Sequence, residues 1–279
     1  MTLMASLVTG CGGGSASPID VAHITTDGGA GNDEAGHSRC PTGLSGPDLV
    51  PVRWNDGIAF CIDSSEVTNA QYAAFLAAPK VPPQAARCAW NQTFAPESVS
   101  SNGPMCPKFD PTARPDHPVV CVDWCDANTY CQWAGKRLCQ KPGGGSVGED
   151  WTMKNASEWV IACTGDGTRR YPYGNTPTTG LCVDRHYPMT IAALLPVKQA
   201  AMCQGGVSGL FDMSGNAWEW QDDCVEQSTD GTKDACSPLG GSFTSELAGS
   251  TCIDGALFFR NQVAGDAGFR CCANAVFGF

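Results

Sequence analysis

Residues 209–220 read Gly-Leu-Phe-Asp-Met-Ser-Gly-Asn-Ala-Trp-Glu-Trp, and they combine acids, small residues and two tryptophans at a spacing that no ordinary helix or strand requires. Asp212 and Glu219 offer carboxylate oxygens, while the small residues Gly215 and Ala217 let the intervening backbone turn and present its carbonyl oxygens. Oxygen ligands of this kind suit a hard cation such as Ca²⁺. The stretch therefore predicts a calcium-binding loop.

The same stretch has a simpler interpretation in which no metal takes part. Trp218 and Trp220 are large enough to anchor a hydrophobic core, and the acidic side chains can cap a turn through the backbone. The pattern alone leaves both interpretations open.

The chain contains 17 cysteines among 279 residues. This density is typical of an oxidising compartment, because a cytosolic protein gains little from so many thiols and risks pairing them wrongly. No Cys-x-x-Cys occurs and the histidines lie far apart in sequence, which argues against a structural zinc cluster and favours disulfides. The histidines are His23, His37, His117 and His186.

The formal charge is −11 and the sequence pI is about 4.6. Nucleic-acid binding requires clustered Lys and Arg that displace counterions, so this balance argues against a nucleic-acid partner. An acidic surface suits a secreted, calcium-rich setting, although it is equally explained by solubility alone.

The N-terminus predicts a bacterial lipoprotein. Residues 7–11 (Leu-Val-Thr-Gly-Cys) form a lipobox after an apolar stretch, so we expect a signal peptide at residues 1–10 and a lipid on Cys11. The apolar stretch is short and lacks a preceding Lys or Arg, which suggests a start codon slightly upstream. The alternative is a free Cys11 in a disordered tail. Without Cys11, an even number of cysteines remains for pairing.

Residues 11–48 are rich in Gly, Ser, Asp and Pro, and predict a lipidated flexible tether with Cys40 as its anchor. The folded domain is then expected at residues 49–279. No other segment approaches the roughly 18 to 20 apolar residues of a membrane span. We therefore expect membrane contact only through the N-terminal lipid, at the bacterial cell envelope, on the outer membrane or its extracellular face.

Local patterns predict the first elements of this domain. Two short strands are expected at residues 49–52 and 58–62, followed by a helix whose Thr68 and Gln71 form a capping box. Pro79 ends that helix, and a long loop follows at residues 80–115, stapled by Cys88 and Cys106. A second helix begins after Asp123 and stops at Gly135.

Several blocks follow one another in an order that resembles the sulfatase-modifying-factor domain of formylglycine-generating enzymes. The resemblance spans about residues 49–279 and implies an α+β, disulfide-rich variant of the C-type-lectin-like fold with little regular secondary structure. Residues 139–155 form an insertion relative to the family. The matching blocks are residues 209–220, 66–72, 117–119 with Trp124, 130–138, 169–175, 240–243 and 268–271.

The resemblance also implies ligands and disulfides. Family members bind calcium through positions that match Asp212, Gly215, Ala217 and Glu219. They also contain a disulfide that matches Cys131 with Cys271. A second family disulfide matches Cys163 and a position near Asn261, so that Cys252 becomes a plausible replacement partner. Residues 181–184 fall where the family has a second calcium loop, but they match poorly and are not predicted to bind metal.

The catalytic copper of the family is held by two cysteines separated by four residues, and these positions fall at Ser245 and Ser250. Soft thiolates prefer Cu(I), and hydroxyls do not. The serines therefore argue against copper and against formylglycine formation.

Two functions follow from the resemblance. The first is a non-catalytic domain whose residues 244–258, with the insertion at residues 139–155, bind a peptide, glycan or protein, as loops on a rigid scaffold often do. The alternative is an oxidoreductase that converts a sulfatase cysteine to formylglycine with unusual ligands. An iron enzyme of the related non-haem type is disfavoured because the chain has no closely spaced histidines.

Overall fold

The computed structural model describes residues 38–54, 58–147, 157–165, 167–188 and 193–277. The lipobox, most of the tether, residues 55–57 and the second half of the 139–155 insertion lie outside these ranges. The described residues form three α-helices and twelve strands of two to six residues. None of the described helices has the length and apolarity needed to cross a membrane.

The largest sheet has four antiparallel strands. It contains β2 (Leu49–Trp54), β3 (Ile58–Asp63), β4 (Arg137–Leu138) and β11 (Cys271–Asn274) in the order β2-β3-β11-β4. Strand β11, near the C-terminus, thus lies between elements from the first half of the chain, which closes the domain.

Four two-stranded pairs complete the described strands, and one of them is parallel. That pair joins β7 (Trp218–Trp220) to β10 (Ala267–Phe269), and places Glu219 opposite Gly268. The antiparallel pairs are β1 (Ser38–Arg39) with β12 (Val276–Phe277), β5 (Gln204–Gly205) with β6 (Val207–Phe211), and β8 (Ala235–Cys236) with β9 (Phe258–Phe259).

The first predicted helix is confirmed as α1 (Asn69–Leu76). Its capping box is complete, because the Gln71 amide donates to Thr68 Oγ1 and the Thr68 amide donates to Gln71 Oε1 at 2.9 Å. Two of the four orphan amide donors of the first turn are satisfied in this way.

The second predicted helix is confirmed as α2 (Trp124–Trp133), and Asp123 caps it by accepting from the Asp126 amide at 2.9 Å. Gly135 follows it with φ +75°, a left-handed conformation that glycine adopts without steric cost. A third helix, α3 (Glu158–Thr164), is capped by Ser157 and lies beyond the insertion.

The core contains a cluster of aromatic rings between α1, α2 and β10. Tyr72 stacks on Tyr130 with ring centroids 5.5 Å apart, and Phe269 meets Tyr130 edge to face at 5.2 Å. A second cluster surrounds Trp159 of α3 and includes Ile62 of β3. These two clusters hold the helices against the turn at residues 209–220.

Eight disulfides join all sixteen cysteines from Cys40 to Cys272. Both pairs implied by the resemblance are present, Cys131–Cys271 with an S–S distance of 2.01 Å and Cys163–Cys252 with 2.03 Å. The loop at residues 80–115 is stapled by Cys88–Cys125 and Cys106–Cys121. The other pairs are Cys40–Cys61, Cys139–Cys272, Cys182–Cys203 and Cys224–Cys236.

The structure corrects one boundary. Residues 38–48 belong to the folded domain and not to a tether, because β1 pairs with β12 and Cys40 is bonded to Cys61. Lys136 Nζ also donates to the Pro47 carbonyl at 2.8 Å. Sequence composition missed this because the segment is fixed by a disulfide and by backbone bonds, neither of which needs large apolar side chains.

Candidate functional site

The turn at residues 212–217 is held by backbone conformations that few residues adopt. Asp212 and Asn216 have φ +58°, and Gly215 has φ +75°. A β-carbon at Gly215 would lie 2.3 Å from the Val183 carbonyl oxygen, so this position requires glycine. This close approach packs the turn against the segment around Val183. The turn then continues directly into β7.

Glu219 is buried and paired with Arg270. Its Oε2 accepts from Arg270 Nε and from the Trp159 indole, both at 2.6 Å, and its Oε1 accepts from Arg270 Nη2 at 2.6 Å. Arg270 also donates to the carbonyls of Asp63 and Phe211. The guanidinium therefore ties β7 to β3, β6 and the residue between β10 and β11 through one buried cation.

Two more carboxylates lie near this ion pair. Asp212 Oδ2 accepts from the Lys198 amide at 2.6 Å, and burial raises the pKa of Asp212 to about 7. Glu66 Oε1 accepts from Asn216 Nδ2 at 2.9 Å, while Oε2 is buried without a hydrogen-bond partner among the described residues. Burial, and then the charges of Asp212 and Glu219, raise the pKa of Glu66 well above its usual value.

These residues fit a calcium site in part. The turn brings Asp212, Gly215, Ala217 and Glu219 together in buried positions, and the surplus of buried negative charge favours a cation. Glu219, however, shares its oxygens with Arg270 and Trp159. Among the described residues, no group of three or more His, Cys, Asp or Glu side chains has the arrangement of a metal site. Calcium binding therefore stays a prediction.

A cluster of hydroxyls and one carboxylate lies at the start of residues 244–258. Asp266 Oδ2 accepts from Ser242 Oγ at 2.7 Å and from Thr244 Oγ1 at 2.9 Å. Asp266 Oδ1 is buried without a hydrogen-bond partner among the described residues. Burial raises the pKa of Asp266, and the two hydroxyl donors oppose this change.

Ser245 and Ser250 occupy the positions that the resemblance assigns to copper ligands. Ser245 Oγ accepts from the Ser242 amide at 3.0 Å, and Ser250 Oγ donates to the Glu246 carbonyl at 3.3 Å. The hydroxyls thus close turns in their own loop. The nearest cysteine in sequence, Cys252, is bonded to Cys163 of α3.

The loop at residues 244–258 is anchored at several points. Cys252 is fixed by its disulfide, and its amide donates to the Arg170 carbonyl at 2.9 Å. Glu246 pairs with Arg185 and with His186 Nε2, the latter at 2.7 Å. Near the end of the loop, Leu257 is 69% exposed. The loop is therefore a fixed surface with an apolar side chain on it.

Sequence reasoning missed three residues of this region. Arg270 and Glu66 lie inside blocks that resemble the family, but their partners are distant in sequence. Asp266 stands two residues before such a block and gave no local signal. Buried charge pairs of this kind become visible only when the chain has closed.

A comparison with protein families agrees with this architecture. The model of the sulfatase-modifying factor enzyme 1-like domain matches residues 24–275. The chain belongs to this family. The resemblance that rested on ordered sequence blocks is thereby confirmed, together with the α+β, disulfide-rich fold.

The sulfatase-modifying-factor domain has relatives that are named as enzymes and others that are named as inactive. The chain is 31% identical over 205 residues to a formylglycine-generating enzyme of Thermomonospora curvata, covering 61% of each protein. It is 29% identical to that of Bos taurus, covering 58% of this chain and 45% of the relative. An inactive C-alpha-formylglycine-generating enzyme 2 of Mus musculus is 26% identical, covering 63% of this chain and 64% of the relative.

The chain thus spans 61% of the length of the bacterial relative and 45% of the bovine one. Two solved structures share the fold of the domain. PvdO from Pseudomonas aeruginosa has a TM-score of 0.52 and 16% identity, covering 82% of this chain and 92% of that protein. CarF has a TM-score of 0.50 and 19% identity, covering 83% of this chain and 96% of that protein.

Proposed function

We propose that this sulfatase-modifying-factor domain is a non-catalytic binding module whose loop at residues 244–258 binds a peptide, glycan or partner protein. The observation that carries the proposal is the pair of serines at positions 245 and 250. Copper-dependent oxidation requires soft thiolate ligands, and hydroxyl oxygens at neutral pH do not replace them.

The bonding of both serines supports this proposal. Each hydroxyl makes a hydrogen bond within its own loop, so each has a structural task there. Ser250 is also buried, at 1% exposure. No cysteine between Cys40 and Cys272 is left as a free thiol to substitute for the missing pair.

The alternative function is that of an oxidoreductase converting a cysteine to formylglycine. It is favoured by the names of the relatives at 31% and 29% identity. The inactive mouse relative, at 26% identity, supports the opposite assignment. At these sequence identities the name of a relative does not establish the activity of this chain. The chemistry of positions 245 and 250 therefore distinguishes the two functions.

An anaerobic Cu(I) titration distinguishes the two. The oxidised full-length protein should show no tight stoichiometric copper site, and a cysteine-containing peptide should keep its mass after incubation with copper and oxygen. The Ser245→Cys/Ser250→Cys double variant is the matched control, since it restores two thiolates at these positions. Tight copper binding or peptide oxidation by the natural protein would overturn the proposal.

Binding is tested with a glycan array and a peptide array probed by the fluorescently labelled protein. Specific capture should be weakened by Leu257→Glu, which replaces the exposed apolar side chain of this loop with a charged one. Val81→Glu serves as control, because Val81 is also exposed, at 41%, but lies far from the loop in sequence. Capture that both substitutions leave unchanged would place the binding surface elsewhere.

We further propose that one calcium ion stabilises the turn through Asp212, Glu219 and the carbonyls of Gly215 and Ala217. The surplus of carboxylates around Arg270 supports it, and the ion would supply structural charge and no catalysis. Isothermal titration with CaCl₂ after chelation should give one site in the natural protein and none in Asp212→Asn. An unchanged heat signal in the variant would contradict this assignment.

We also propose that the protein is a lipid-anchored envelope protein, with Cys11 as the acylated residue. The disulfides support an oxidising compartment. Metabolic labelling with an alkyne fatty acid should mark the natural protein and not Cys11→Ser. Equal labelling of both would exclude Cys11 as the anchor.

A further inference from the structure

A segment at residues 99–106, which we call the strap, lies across residues 262–266. The amides of Ser101 and Asn102 donate to the Val263 carbonyl at 3.0 and 3.1 Å. In the opposite direction, the Gly265 amide donates to the Pro104 carbonyl at 3.0 Å. These backbone bonds hold the strap in place along its length.

The strap covers the carboxylate of the hydroxyl cluster. Asp266 is 2% exposed, and its Oδ1 has no hydrogen-bond partner among the described residues. A β-carbon at Gly103 would lie 3.2 Å from this oxygen, which places the backbone of the strap directly against it. Leaving a buried carboxylate oxygen without a donor costs free energy. Lifting the strap would let water reach Oδ1 and would remove that cost.

The C-terminal end of the strap is fastened by the Cys106–Cys121 disulfide. Cys106 is half-buried, whereas Cys121 is buried and has φ +62°, a left-handed conformation that is strained for a residue with a side chain. The disulfide also lies near the hydroxyl cluster, because Cys106 and Phe243 pack on the apolar cluster that contains Cys121 and Ala217. Phe243 lies between the two hydroxyl residues that hold Asp266.

Comparison with the other disulfides sets this one apart. Five of the eight have both cysteines buried, and three have one half-buried cysteine, namely Cys40, Cys106 or Cys224. Among these three, only the disulfide of Cys106 includes a residue with a positive φ. Accessible and strained disulfides are the ones that exchange with external thiols.

We propose that Cys106–Cys121 is a thiol-exchangeable latch that releases the strap and opens the hydroxyl cluster of Ser242, Thr244 and Asp266. A thiolate from a small-molecule or protein thiol attacks Cys106 Sγ, the accessible sulfur. The S–S bond breaks, Cys121 Sγ leaves as a thiolate, and it takes up the proton that the attacking thiol released. The first thiol is now joined to Cys106 as a mixed disulfide. A second external thiolate attacks the sulfur of the first thiol, the two external thiols leave as a disulfide, and Cys106 Sγ takes up the proton of the second thiol, so both cysteines end as thiols.

Opening has a structural consequence beyond the disulfide. Once Cys106 is free, hydrogen bonds alone hold the strap. They are the backbone bonds to Val263 and Gly265 and side-chain bonds such as that from the Val263 amide to Ser101 Oγ at 2.8 Å, and solvent competes for them. Asp266 then gains hydration, and the hydroxyls of Ser242 and Thr244 become accessible to a ligand. The latch is independent of the proposed binding function, because its reduction can be measured without any ligand.

The latch is tested on the folded full-length protein. Free thiols are first blocked, reduced glutathione is then added in increasing amounts, and new thiols are alkylated and located by mass spectrometry. Cys106 and Cys121 should be alkylated about tenfold faster than the pairs Cys40–Cys61 and Cys224–Cys236, which serve as internal controls with similar exposure. Equal rates, or faster labelling of either control pair, would overturn the proposal.

Hydrogen–deuterium exchange provides the second measurement. In Cys106→Ser/Cys121→Ser, the amides of Ser101, Asn102 and Gly265 should exchange faster, while those of the four-stranded sheet stay protected. The matched control Cys224→Ser/Cys236→Ser removes a disulfide that closes a comparably short loop, with a sequence separation of 12 against 15. The proposal would be overturned if the exchange rates of the strap amides were unchanged in Cys106→Ser/Cys121→Ser. It would also be overturned if the control variant raised those rates equally.

Discussion

Glu219 and Arg270, which are 51 residues apart, form a two-armed buried ion pair with nitrogen–oxygen distances of 2.6 Å. The Trp159 indole donates a third hydrogen bond to the same carboxylate. Both side chains are at most 1% exposed, so water does not screen the pair. This contact joins the turn at residues 209–220 to the last strands of the domain.

Arg270→Met should therefore destabilise the domain severely. The substitution leaves the Glu219 carboxylate buried without its cation, and breaking such a pair costs about 3–5 kcal/mol. Urea unfolding followed by tryptophan fluorescence measures the loss. Arg185→Met is the control, because Arg185 pairs with Glu246 at the surface and should have little effect. A similar decrease in the free energy of unfolding in the two variants would show that the buried ion pair stabilises the domain no more than the surface pair does.

The stability of the metal-free protein should fall as the pH rises from about 4 to about 7. Burial raises the pKa of Asp212 from 3.8 to about 7, so the folded state binds its proton more tightly than the unfolded state does. Stability is then highest below the unfolded pKa and declines up to the folded pKa. Asp63, with a pKa of about 6, and Asp123, with about 7, act in the same direction.

Asp212→Asn tests this pH dependence, because the amide oxygen can still accept from the Lys198 amide while the charge is gone. Urea unfolding with EDTA at pH 5 and pH 8 should show a smaller difference for the variant than for the natural protein. Each unit of pKa shift corresponds to about 1.4 kcal/mol. Identical differences would mean that Asp212 titrates at its ordinary pKa.

Gly215→Ala should be much more harmful than Gly43→Ala. Both glycines have a left-handed φ, +75° and +76°, so the backbone strain of the two substitutions is equal, about 1 kcal/mol. A β-carbon at Gly215 meets the Val183 oxygen at 2.3 Å, whereas one at Gly43 has no atom within 4 Å. The difference in melting temperature isolates the clash. Equal melting temperatures would show that the turn can move away from Val183.

Removing Cys131–Cys271 should cost more stability than removing Cys224–Cys236. The first disulfide closes a sequence separation of 140 and the second one of 12. In the chain-entropy account the difference is about 2 kcal/mol, since the longer loop restricts the unfolded chain more. Paired Cys→Ala variants, compared by denaturant midpoints, measure it. An equal or reversed order would place the stabilisation in native packing.

Patterns within a few residues were read correctly from the sequence. Thr68 with Gln71, and Asp123 followed by an apolar stripe, predicted two helix starts, because a capping bond spans three residues and needs no tertiary context. The start of the domain was misplaced at residue 49, because Cys40–Cys61 and the β1–β12 pair hold residues 38–48 from distant positions.

The sequence alone determined the family, through the order of its blocks. It also predicts that Ser245 and Ser250 stand at the positions that resemble the copper ligands of the family. The sequence also predicts a calcium-binding turn formed by Asp212, Gly215, Ala217 and Glu219. Tertiary structure decided what those residues touch. Glu219 faces Arg270, Asp266 lies under the strap, and Cys106 bonds to Cys121, because charge burial and disulfide geometry depend on parts of the chain that meet only after folding.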